Sequence, residues 1–153
     1  MILEKEIQQM TNALKHFDKK DNAISKSGVD WHIDHNLRAI YIICKTLQGS
    51  EEKDYKPLFN FKRTLIFITK KFPRGKAKAP KAIVSKSIII KEVIENRLKT
   101  TKILLKEIET LPKNSHFNHP IFGMLNLKQT TKFLQIHTTH HLKIIEDIIS
   151  SHS

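Results

Sequence analysis

The chain is poor in the residues that make covalent staples, flexible turns and membrane spans. A single cysteine, Cys44, occurs in 153 residues, which excludes an internal disulfide and suits a reducing cytosol. Glycine appears only four times. The five prolines (Pro57, Pro73, Pro80, Pro112 and Pro120) all fall between periodic segments and never inside one. Both features favour an all-helical protein, because proline breaks a helix wherever it intrudes. No uninterrupted apolar run approaches the roughly 20 residues that a bilayer span needs. The first residues show no apolar stretch behind a basic flank and no small-residue cleavage pattern, so the expectation is a cytoplasmic chain without a signal peptide. Phosphate-binding glycine loops, paired-carboxylate motifs and a Ser–His–Asp order are missing as well.

Acid is missing from one region. Between Tyr55 and Lys91 there are eleven Lys and Arg and no Asp or Glu. The formal net charge is +12, so the rest of the chain carries about +1 and the excess is a regional feature. Nucleic-acid modules interleave aromatics with basic residues or set a basic helix in a groove. The run PRGKAKAP, from Pro73 to Pro80, does neither, and a nucleic-acid partner is not expected. Two readings remain. The segment is either a solvated loop that aids solubility or a seat for an anion, with Arg74, Lys76 and Lys78 as its cations.

What the chain does have is helical periodicity. A length of 153 residues suits one domain, read here over 1–153. The first helix is expected over about Ile2–His16, with Ile7, Met10, Leu14 and Phe17 as its stripe. A second runs from near Ser27, a candidate cap with Asp30 three residues on, to Gln48, with Gly49 as its stop. Asp34, Arg38, Lys45 and Gln48 share one narrow polar sector, so the remainder of this helix faces apolar company. Pro57 to Phe72 reads as a shorter helix, although its β-branched and aromatic content also allows a strand. A long helix is expected over about Ser87–Leu111, with Ile90, Val93, Ile94, Thr101, Leu104, Ile108 and Leu111 on one side. After a loop, KNSHFNHPIFGM, Asn126 and Gln129 stand in capping-box spacing before a last helix that reaches about Ile149. Four long amphipathic helices, one short extra helix and a long crossover connection predict an all-α four-helix bundle.

Nine histidines are present, and two of them are oddly placed. In FLQIHTTHHLKII, His137 and His141 lie one helical turn apart among Leu127, Leu134, Ile145 and Ile148, on the face that should meet the core. Burying imidazole is costly unless both nitrogens find partners. A shared divalent metal would partner both, but two imidazoles leave most coordination positions open. The second helix offers more in WHIDHNL. His35 shares its side with Trp31, Ala39 and Ile42 and can face inward, whereas His32, rotated by about 60°, reads as a supporting residue behind the ligands. Three neutral imidazoles with open positions suit Zn, Ni or Fe(II). The competing readings are core histidines bonded to Thr130, Thr138 or backbone, and a metal-free relic in which the histidines satisfy one another. His140 sits at the edge of the face, as a solvent-facing or supporting residue. His16, His116 and His152 read as surface residues.

Together, WHIDHNL and HPIFGMLNLKQTTKFLQIHTTHHLKII resemble the DinB-like superfamily of four-helix bundles, over about Trp31–Ile149. The closest likeness is to a branch known only as a domain of unknown function, which also carries RGKAKAP-like and HPxFG-like segments. In that superfamily a histidine of the second helix and an HxxxH pair of the last helix bind a divalent metal at one end of the bundle. By position these are His35, His137 and His141. The superfamily includes transferases and isomerases that use bacillithiol or mycothiol, alongside many members of no known activity.

The expectation is therefore a metal-binding protein that acts on a small molecule, as a metal-dependent hydrolase or a thiol-dependent transferase. The alternative is a non-enzymatic bundle that holds an anionic partner through the basic segment 55–91. A homodimer is compatible with either. His119, in HPIFG, would act as an acid/base or extra ligand near the cavity mouth, or would simply belong to a turn shaped by Pro120 and Gly123 and plugged by Ile121 and Phe122. Trp31 and Tyr41 read as pocket walls or core. Cys44, on an apolar face with no cation nearby, reads as inert.

Overall fold

A computed structural model describes residues 1–74 and 88–152 of the chain. Helix α1 spans Glu4–Ala13 and runs on into a 3-10 turn, Leu14–His16. Helix α2 spans Val29–Gln48 and α3 spans Phe61–Thr69. Helix α4 covers Lys91–Ile108. Strands β1, His116–His119, and β2, Gly123–Asn126, form an antiparallel hairpin. Helix α5, Leu127–Ser150, follows β2 directly. The architecture is helical with one small two-stranded sheet.

Helix α2 is central because its apolar residues recur at helical spacing. Val29, Ile33, Leu37, Ile40, Cys44 and Leu47 are all buried, and these steps of three and four keep them on one stripe. The stripe packs against α4 and α5. Helix α1 lies on α4 and α5 and adds Ile7 and Met10 to the same core. Helix α3 buries none of its residues; Ile66 and Phe67 only lean on the core.

Several local expectations need correction. Ser27 does not cap α2. Gly28 occupies the cap with extended backbone and no side-chain bond. A Cβ at Gly28 would come within 2.7 Å of the Asp30 carboxylate and 3.1 Å of the Lys19 carbonyl oxygen, so the residue suits a close backbone approach. In α4 the packed stripe is Ile94, Leu98, Thr101, Leu105 and Ile108. Ile90 and Val93 are exposed instead. Ser87 lies outside the described residues.

The expected loop before α5 is the hairpin β1–β2. Its register pairs His119 with Gly123, which leaves Pro120, Ile121 and Phe122 as a three-residue turn. Gly123 has φ 68, the left-handed conformation such a turn requires next. Phe122 is buried, but Ile121 is exposed, so only one of the two plugs the core. The capping box is present: Asn126 accepts from the Gln129 backbone N–H, and the Gln129 side chain accepts in return from the Asn126 N–H. Arg63 of α3 donates to the carbonyls of Phe122 and Met124 and to that of Leu58. One cation of the basic segment is thereby committed to bracing α3 on the hairpin.

Candidate metal centre

Residues on α2 and α5 bring the inward histidines together. His35 of α2 is buried, while His137 and His141 of α5 are half-buried. One ring nitrogen from each lies within 4.8 Å of the other two. His35 Nε2 lies 3.2 Å from His137 Nε2. In a tetrahedral site with metal–nitrogen bonds of about 2.0–2.1 Å, ligand nitrogens stand about 3.3 Å apart. The pair is therefore already spaced as two ligands of one ion. Among the described residues no other group of three His, Cys, Asp or Glu side chains converges this closely.

His32 belongs to the same assembly, despite its expected rotation away from His35. It is buried, and both its nitrogens are engaged: Nε2 lies 3.0 Å from the Ser25 hydroxyl and Nδ1 lies 2.9 Å from His141 Nδ1. Such a contact fixes which nitrogen of His141 faces its other neighbours. Trp31 stacks on His35, with ring centroids 4.8 Å apart and planes 9° from parallel. That contact makes Trp31 a wall of the site, whereas Tyr41 is exposed. Phe72 closes another side, 6.4 Å from His137.

The threonines do not satisfy the histidines. The Thr130 hydroxyl donates to the Leu125 carbonyl at 3.1 Å, and the buried Thr138 hydroxyl has no partner. His137 Nδ1 is likewise buried without one. An orphaned buried polar atom costs about 1–3 kcal/mol, so hydrogen bonding among the rings leaves the cluster incompletely satisfied.

Burial keeps these rings neutral. It pushes His137 down to about 3, with His35, His140 and His119 adding repulsion, and His32 down to about 4. His141 lies well below its ordinary value for the same reason. Neutral imidazole is the form that ligates a metal, and a donor set of three imidazole nitrogens suits a borderline cation.

The remaining candidates separate cleanly. His119 is a turn residue: its Nδ1 accepts from the backbone N–H groups of Ile121 and Phe122, and its ring stacks on Phe122 at 4.4 Å. Burial lowers it to about 4. His140 touches the rings of His141, at 5.2 Å, and of Phe72, at 5.8 Å, but is not one of the three residues whose nitrogens converge. Arg74 pairs with Asp147 at 2.7 Å. Lys76 and Lys78 lie outside the described residues. The Cys44 thiol is fully buried and pushed up to about 12 by burial, so it is no nucleophile at neutral pH.

Compared with known proteins, the chain matches no family model, no curated protein and no solved structure. Function is therefore read from the site itself. No helix among the described residues is long and apolar enough to cross a membrane.

Sequence reasoning missed Asp34. Placed with a polar sector of α2, it is in fact fully buried, accepting from Arg38 Nε at 2.7 Å and from the Arg97 guanidinium of α4. The i,i+4 pairing with Arg38 was a signal within the sequence; Arg97 was not.

The neutral histidines carry a pH prediction for metal-free protein. Unfolded, each would titrate near 6.5, whereas His32, His119 and His137 stay neutral in the fold down to about 4, 4 and 3. Below pH 6.5 the unfolded chain binds more protons, so stability is complete above that value and falls with acid. The expected loss is up to about 1.4 kcal/mol per pH unit for each histidine, continuing toward pH 4. Urea midpoints measured with chelator present would show it; midpoints constant from pH 7 to 5 would refute it.

Proposed function

We propose that the chain is a DinB-like four-helix bundle in which His35, His137 and His141 hold one divalent ion, Zn, Ni or Fe(II), for chemistry on a small molecule. The observation that carries this reading is the convergence of three ring nitrogens from two helices within 4.8 Å, with His35 Nε2 and His137 Nε2 spaced at 3.2 Å, as two ligands of one ion would be. When bound in such an open three-imidazole site, the ion lowers the pKa of a coordinated water or polarises a thiol, which suits hydrolysis or thiol transfer.

The protein groups have distinct tasks in this scheme. His32 holds His141 by Nδ1, leaving the opposite nitrogen to ligate. Trp31 covers one face of His35 and limits its rotation. Phe72 and Trp31 keep apolar surface beside His137 and His35, which would strengthen electrostatic effects at a bound ion.

Protein expressed without a polyhistidine tag should bind about one divalent ion per chain by elemental analysis. With Co(II) it should show the visible bands of low-coordinate nitrogen ligation. His137→Ala should abolish both, because two imidazoles then remain. A wild-type chain that takes up neither Zn, Ni nor Fe(II) would overturn the reading and leave a hydrogen-bonded imidazole core.

A further inference from the structure

Beside the triad the fold gathers cations that are distant in the chain. Lys70 follows α3 in the left-handed conformation, φ 53, and the segment through Lys71, Phe72 and Arg74 then turns along α5. There it meets Thr139, His140 and Lys143 around a depression of about 190 Å³. Arg74 has a carboxylate partner in Asp147. Lys70, Lys71 and Lys143 have no ion-pair partner among the described residues. The depression is thus lined by four cations, of which Arg74 is held by Asp147, with Thr139 beside them.

Its position links it to the histidines. Phe72 lines the depression, and its ring stands 5.8 Å from His140 and 6.4 Å from His137. His140 in turn touches His141. One layer of rings therefore separates the cationic depression from the triad. A volume of about 190 Å³ is below the roughly 300–1,000 Å³ of a whole ligand pocket, so it fits one end of a molecule. Three ammonium groups with several donors each, none of them in an ion pair among the described residues, select a compact oxyanion.

We propose that this depression seats the oxyanionic end, a phosphate or carboxylate, of a small molecule bound beside the histidine triad. The assignment of substrate class rests on the metal-site reading above; the anion seat itself does not. Lys70, Lys71 and Lys143 are exposed, so they can be altered without disturbing the core.

The test uses the full chain, chelated and then metal-loaded, titrated with inorganic phosphate and separately with acetate, against chloride at equal ionic strength. Saturable binding of phosphate or acetate to chelated protein is expected, and the tighter of the two names the group. Lys71→Ala combined with Lys143→Ala should weaken it at least tenfold while metal uptake stays at its wild-type level. Equal binding by the double variant, or equal displacement by chloride, would overturn the seat and leave the metal site standing. Anion binding by a chain that takes up no metal would overturn the link to the triad.

Discussion

Replacing Asp34 by Ala is expected to destabilise the protein by about 1.5–3 kcal/mol, the cost of losing charge-assisted hydrogen bonds to a buried carboxylate whose arginine partners still reach water. The carboxylate is 1 % exposed and shared between Arg38 and Arg97. Without it, two guanidinium groups face each other across the α2–α4 contact with no anion between them. Removing the charge on both sides should cost much less. Asp34→Leu combined with Arg97→Met replaces the ions by apolar groups of similar size, and such exchanges are often close to neutral. Urea unfolding of the two single variants and the double variant gives the coupling directly. A loss below about 1 kcal/mol in Asp34→Ala would mean that the pair is solvated and carries little of the α2–α4 contact.

Metal should raise stability by mass action, because the unfolded chain has no preformed site. At a free ion concentration one hundred times the dissociation constant the gain is about 2.7 kcal/mol. For a chain of 153 residues that corresponds to a rise in Tm of roughly 5–10 °C. In His137→Ala, and equally in His35→Ala, the metal-dependent part of the shift should fall to near zero. His119→Ala should keep it, because His119 is bound into the hairpin turn. Thermal unfolding with and without chelator makes the comparison. A shift that survives His137→Ala undiminished would place the ion elsewhere.

How much was legible follows from the range of the interactions. His137 and His141 stand one turn apart on one helix, and their apolar neighbours identify the face; no distant residue is needed. The inward direction of His35 follows in the same way from the stripe of α2. His32 illustrates the limit. A rotation of about 60° between His32 and His35 places it beside the site as a supporting residue, but which ring it meets, His141, is decided by the packing of α5. The hairpin escaped notice because each strand has four residues, too few for alternation to register against a loop. Trp31 was placed as either pocket wall or core, and only its stacking on His35 decides between them.

Composition and periodicity by themselves determined that the chain is mainly helical, where α2 and α5 bury their stripes, and that His35, His137 and His141 turn inward, since these depend on spacing within single helices. Tertiary structure alone decided that the inward rings from separate helices come within ligand distance, that Asp34 is buried between two arginines, and that Lys143 joins Lys70 and Lys71. Each of these depends on side chains tens of residues apart, and their meeting is set by how helices dock, a quantity no local pattern encodes.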